Sequence, residues 1–273
     1  PLHVDEFKWQ NSHAAYAGHV AEKDGIYYFY VSTNWCGIGV AVSDSPYGPF
    51  KDALGKQLLT TEHCPGSTHS WACIDPAVYQ DEEGNAWLYW GNGKCYVAKL
   101  KPNMIEIDGE VKDITPVGSN FTEAPWVHKH NGKYYLTFAQ NWPEKLGYAV
   151  SDSPEGPFEY KGIFSEVAGN SNTTHPAIVE FKGKTILFTH NGGLHEGTSY
   201  SRSVCAQELK YDKKGNILKC DITTDGVPYL EEYYDRKSKE EKAIRKMESK
   251  MGAYLMVYHK DADHGLHMAI SYD

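Results

Sequence analysis

Lys23-Asp24-Gly25-Ile26-Tyr27-Tyr28-Phe29-Tyr30-Val31 is a turn ending in glycine, followed by a run of aromatic and β-branched residues. The same phrase returns four more times. Glu83-Gly84-Asn85 opens Ala86-Trp87-Leu88-Tyr89-Trp90, and Asn131-Gly132-Lys133 opens Tyr134-Tyr135-Leu136-Thr137-Phe138. Lys182-Gly183-Lys184 opens Thr185-Ile186-Leu187-Phe188-Thr189, and Met251-Gly252 opens Ala253-Tyr254-Leu255-Met256-Val257-Tyr258. The glycines lie 59, 48, 51 and 69 residues apart. Such side chains pack on a pleated surface, so each run reads as a strand. A repeat of roughly 40–50 residues, mostly strand, predicts an all-β fold, a five-bladed β-propeller.

A second repeat runs through the first. Val40-Ala41-Val42-Ser43-Asp44-Ser45-Pro46-Tyr47-Gly48-Pro49-Phe50 recurs as Tyr148-Ala149-Val150-Ser151-Asp152-Ser153-Pro154-Glu155-Gly156-Pro157-Phe158, 108 residues on. A third copy starts at Met268-Ala269-Ile270-Ser271. Each copy reads as an inner strand followed by a Pro/Gly turn. Residues 231–250 break the pattern, being almost all charged or small, with Glu241 and Arg245 at i,i+4. The expected organisation is a propeller over 1–230, a charged helical connector over 231–250 and a blade-like C-terminal segment over 251–273.

The bulk numbers narrow the function. A net charge of −9 gives no reason to expect nucleic acid or an anionic membrane as partner. The 20 tyrosines suit a surface that stacks on flat ligands. Cys36, Cys64, Cys73, Cys95, Cys205 and Cys220 contain no Cys-x-x-Cys pair, so zinc is not expected, and free thiols are favoured over disulfides. The cysteines leave the compartment open, with a secreted or periplasmic location favoured over the cytoplasm. The first residue is Pro1, which suggests a processed or cut N-terminus. Nucleophile elbows and phosphate-cradling glycine loops do not occur.

A propeller brings the same point of every repeat to one axis. Nine residues before Gly84 lies Asp75, in Ile74-Asp75-Pro76-Ala77-Val78; nine before Gly132 lies Glu123, in Thr122-Glu123-Ala124-Pro125-Trp126; eight before Gly183 lies His175, in Thr174-His175-Pro176-Ala177-Ile178. Each is a polar residue shortly before a proline that stiffens the start of a strand. Two carboxyls in one cleft are acid–base equipment, because burial and like charge raise a carboxyl pKa toward neutrality. Capping of strand starts is the plainer role for either residue alone. Tyr16, beside the matching position Ala17, could wall a sugar ring or simply pack; Asn92 could bond sugar hydroxyls or turn the chain; His69-Ser70-Trp71 could line the funnel or pack a loop. Gln140, Asn141 and Trp142 follow the third repeat strand on a loop able to reach substrate.

The chain resembles glycoside hydrolase family 43, five-bladed propellers that remove arabinofuranosyl or xylosyl units from hemicellulose. The likeness rests on Ile38 to Pro46, Ile74 to Val78, Leu88-Tyr89-Trp90-Gly91-Asn92-Gly93, Thr122 to Trp126 and Asn170-Ser171-Asn172-Thr173-Thr174-His175-Pro176, over residues 1 to 225. It is nearest the branch acting on arabinoxylan side chains. The resemblance implies an inverting mechanism with Glu123 as general acid and Asp75 as the acid that orients it. It also implies His175 at a central calcium ion, mostly through water, and Arg202 on the terminal sugar, with Trp126 as a further substrate contact. The family's general base, an aspartate of an Ala-Asp-Pro motif in the first blade, is not found in this sequence. Residues 1 to 225 then correspond to four family blades, the fifth place falling to the C-terminal segment. Two alternatives stay open: a carbohydrate-binding propeller impaired in catalysis, and a fragment that closes its ring with its own tail or as a homodimer. Asp261 and Asp263 are the only substitute bases in the final unit.

Overall fold

The protein, a computed structural model, is described over residues 2–12, 14–223 and 226–227, with the backbone alone of 254–260 and 265–271. The strands of the first sheet are β1 (Ala15–Lys23), β2 (Ile26–Thr33), β3 (Ile38–Ser43) and β4 (Lys51–Asp52); those of the second are β5 (Ala77–Gln80), β6 (Ala86–Trp90), β7 (Tyr96–Leu100) and β8 (Ile107–Asp113). The third holds β9 (Phe121–His130), β10 (Lys133–Gln140), β11 (Lys145–Ser151) and β12 (Glu159–Ser165), and the fourth β13 (Ala177–Phe181), β14 (Lys184–Asn191) and β15 (Ser203–Leu209). Every sheet is an antiparallel meander in chain order, and β1, β5, β9 and β13 neighbour one another in succession. These are four blades of a propeller whose first strands gather at the axis.

The repeat glycines do the turning expected of them. Asp24-Gly25, Asn131-Gly132 and Lys182-Gly183 all have positive φ (54 and 80°, 48 and 78°, 51 and 75°) and join two strands in two-residue loops. That pair of conformations matches the right-handed twist of the flanking strands. The aromatic runs after the glycines are second strands. The Ser-Asp-Ser-Pro repeat is corrected by one place: β3 and β11 are third strands, next to the outer one, and not inner strands. Both sequence repeats lie on strands flanked by partners on either side, which is why both read as strongly apolar.

The blades stack face to face. Tyr30, Ile38 and Val40 of the first blade meet Leu88, Trp90 and Tyr96 of the second; Tyr89 and Val97 meet Val127, Leu136 and Phe138 of the third; Tyr148 and Phe164 meet Ile178 and Leu187 of the fourth. Burying one such side chain stabilises by about 1.5–3 kcal/mol, so three interfaces of this kind dominate the fold's stability. All six cysteines are free thiols. The C-terminal strands β16 (Tyr254–Lys260) and β17 (Gly265–Ser271) pair as an antiparallel hairpin. The proposed connector 231–250, Asp261 and Asp263 lie outside the described residues.

Candidate active site

Three of the four first strands start from a special backbone. Ala17, Asp75 and Ala124 share left-handed φ values of 50, 58 and 58°, and β1 and β9 carry register shifts at this end. Asp75 and Ala124, each directly before a proline, are therefore the matching positions. Glu123 sits one residue earlier, so counting back from the glycines misaligns the two acids by one place. The structure nevertheless brings them to one cavity of about 530 Å³, lined also by Tyr16, Trp35, Trp71, Trp142, Thr173, His175 and Arg202.

Asp75 is 3 % exposed. Its N–H donates to Ser32 Oγ at 2.9 Å, and its Oδ2 accepts the Ala124 N–H at 3.0 Å. Asp75 thus grips the backbone next to Glu123 and ties the second blade to the third. Glu123 Oε2 accepts from Asn92 Nδ2 at 2.7 Å. Asn92 stands on Gly91-Asn92-Gly93, where Gly91 at φ 133° donates to Ile74 O at 2.8 Å and Gly93 donates to Thr122 O at 2.7 Å. A side chain at Gly91 would meet the Lys94 carbonyl, so only glycine passes here.

Burial pushes both acids up. Asp75 is held well above the carboxylate range, first by burial and then by the Glu123 charge; Glu123 is raised by burial and pulled back by the Asn92 hydrogen bond and the Arg202 guanidinium. A third carboxyl, Glu144, is 1 % exposed and pushed up to about 8 by burial and by Glu123. Three acids around one guanidinium all have their pKa raised and titrate as a set. Arg202 Nη1 donates to Thr173 Oγ1 at 3.2 Å and lies 3.4 Å from His190 Nε2. His175 is pushed down to about 4 by burial and by Arg202, so its imidazole is neutral. The Tyr16 hydroxyl is buried without a hydrogen-bond partner, and its ring neighbours Trp35 at 6.1 Å. Trp35 stacks on Trp71, ring centroids 6.0 Å apart, and both are half exposed at the mouth.

Three expected substrate contacts do not line this cavity. Asn92 is 6 % exposed and bonds Glu123 instead of facing the cavity. His69 is exposed, accepts from the Trp71 N–H at 3.2 Å and does not line the cavity; Trp71 does. Trp126 donates to Ile178 O at 3.0 Å and packs on His19 at 4.9 Å, lining a separate hollow with Tyr79 and Lys129. Gln140 is buried away from the cavity, whereas Trp142 lines it. Glu144, Trp35 and Thr173 were missed; no local pattern marks them, since each reaches the site from a loop of a different blade.

The sequence matches the Glycosyl hydrolases family 43 model over residues 3–217. The chain belongs to this family. It is 37% identical over 240 residues to a xylosidase/arabinosidase of Bacteroides ovatus, covering 72% of this chain and 70% of that protein. The solved structure of a family 43 arabinoxylan arabinofuranohydrolase from Bacillus subtilis, in complex with cellotetraose, superposes with a TM-score of 0.71 at 28% identity, over 81% of this chain and 52% of that one. A family 43 β-xylosidase/α-arabinofuranosidase from a compost microbial metagenome, solved with xylotriose in a calcium-free form, gives a TM-score of 0.66 at 30% identity, over 76% and 73%. The four family 43 blades described above are thus glycosidase blades. Calcium takes about 6–8 oxygen ligands. Among the described residues no three His, Cys, Asp or Glu side chains form a metal-holding group, so the protein side chains alone do not make a calcium cage around His175.

Proposed function

We propose that the cavity takes a terminal α-L-arabinofuranosyl or β-D-xylosyl unit of arabinoxylan. Glu123 protonates the departing glycosidic oxygen, and Asp75 orients and tunes Glu123. The observation that carries this reading is the Asp75 grip on the Ala124 N–H at 3.0 Å, beside a Glu123 that Asn92 holds at 2.7 Å. Burial favours the acid form of Glu123, as a proton donor at neutral pH requires. As the glycosidic C–O bond breaks, the proton passes to the leaving oxygen. Inversion has water attack the opposite face and needs a base, with the two carboxyls roughly 6.5–9.5 Å apart. Arg202 is placed to bond sugar hydroxyls, the Tyr16 ring to wall the cavity, and the Trp35–Trp71 pair to stack on the adjoining unit. A calcium ion near His175 would draw on its neutral imidazole and water.

Replacing Glu123 by Gln should cut release of 4-nitrophenol from aryl arabinofuranoside or xyloside by at least about 10²-fold, the usual worth of a general acid. Undiminished release would refute the assignment. A second reading, sugar binding without turnover, is favoured by one observation: among the described residues, Asp75 and Glu123 are the only carboxylates lining the cavity. Calorimetry with xylotriose beside the product assay separates the two. We infer also that β16 and β17 occupy the fifth blade position, since β16 runs beside β15 and β17 beside β1. A solution mass of one chain supports closure within the chain; a mass of two chains supports exchange between copies.

A further inference from the structure

Glu144 lies in the loop between β10 and β11 and is buried to 1 % exposure. Its N–H donates to Asn172 O at 2.9 Å, and its Oε2 accepts the Thr174 N–H at 2.8 Å. One residue of the third blade thereby grips both ends of a three-residue segment leading into the fourth. That segment, Asn172-Thr173-Thr174, forms one wall of the cavity. From its other side, Ser199 Oγ accepts the Asn172 N–H at 2.9 Å, and the Thr173 hydroxyl takes Arg202 Nη1 at 3.2 Å. Glu144 itself is not part of the cavity lining, so it is no candidate for the missing base.

We propose that Glu144 is a positioning residue of the sugar site: it seats the Asn172–Thr174 wall and, through the Thr173 hydroxyl, fixes where the Arg202 guanidinium points. The inference rests on the reading of this cavity as a sugar site. Two features carry it beyond a structural tie. Glu144 Oε1 is buried with no hydrogen-bond partner, an arrangement that costs stability and that an apolar side chain would avoid. The carboxyl so placed lies within electrostatic reach of Arg202, together with Glu123 and Asp75. A buried guanidinium is held in one orientation by the charges and acceptors around it, and the wall supplies its acceptor.

The test is calorimetric titration of the full chain with xylotriose, alongside thermal melting. E144A should weaken binding about tenfold, the effect of losing one aligned buried hydrogen bond, whereas E144Q, whose amide oxygen accepts the same N–H, should stay within about threefold. T173V removes only the hydroxyl that links the wall to Arg202 and should reproduce the E144A loss, which keeps the test valid if E144A fails to fold. In an R202A background, E144A or T173V should add less than about twofold, since residues acting through one another are non-additive. Wild-type binding that E144A and T173V leave unchanged, or a loss that persists in full without Arg202, overturns the proposal alone. Wild-type protein that binds no sugar overturns the function and this inference with it.

Discussion

Replacing Asp75 by Ala and by Asn separates the tie it makes from the charge it carries. In D75A the Ala124 N–H, buried beside a residue with no exposed surface, loses its acceptor. An orphaned buried donor costs about 1–3 kcal/mol. Position 75 also has a φ of 58°, a conformation that Asp and Asn tolerate and that costs an ordinary side chain about 1–2 kcal/mol. Together these give a loss of about 2–5 kcal/mol, or roughly 4–20 °C in Tm at about 2–4 °C per kcal/mol for a domain of this size. Asn keeps both the acceptor and the backbone preference, so D75N should melt no lower than wild type at pH 5, where the raised folded pKa already costs wild type stability because the unfolded chain has lost the proton. At pH 8 the sign favours the variant. A carboxyl with a raised folded pKa contributes fully below its unfolded pKa and loses that contribution as pH rises through the folded one, so wild type weakens while D75N does not. Scanning calorimetry at the two pH values measures all three proteins. A D75N that loses as much as D75A at pH 5 would refute the assignment of the tie to the oxygen acceptor.

Three further outcomes follow from the site. N92A removes the donor that pulls Glu123 down, so the Glu123 pKa should climb and the alkaline limb of the pH–rate profile move upward; a downward shift would contradict the 2.7 Å bond. E144Q should melt above wild type at pH 8, the difference vanishing toward pH 4, because the native state keeps the Glu144 proton up to about 8 while the unfolded chain has lost it; equal melting curves at pH 8 would count against the raised value. W71A should weaken binding of xylotriose about tenfold more than binding of xylose, since Trp71 lies at the mouth against Trp35 and stacking on a ring is worth about 1–1.5 kcal/mol; equal losses for both sugars would remove the mouth as a second subsite.

The turns and strands were legible because their causes are local. Asp24-Gly25 and Asn131-Gly132 adopt left-handed pairs that their own residue types favour, and the aromatic runs after them are second strands whose neighbours on both sides demand apolar side chains. The rank of a strand within its blade was not legible: Ile38–Ser43 and Lys145–Ser151 look like inner strands by hydrophobicity, yet are third in their sheets. Among the acids, Asp75 and Glu123 announced themselves by neighbouring prolines, although the bulged strand starts put them one position out of step. Glu144 carried no such mark, for its partners Asn172 and Thr174 are about thirty residues away in the next blade. Asn92 was found for its place after a strand, and its partner Glu123 could not be.

By itself, then, the order of residues determined the blade count of the described region, the hairpin turns, the family and the two acids, all properties set by short-range backbone preference and by periodic burial. Which acid lies deeper, which loop residue braces Glu123, which tryptophans ring the mouth and which face Trp126 takes were decided only when four blades closed around one axis. Burial and hydrogen-bond partnership there depend on what the neighbouring blade brings within about 3 Å, and no stretch of a single blade contains that information.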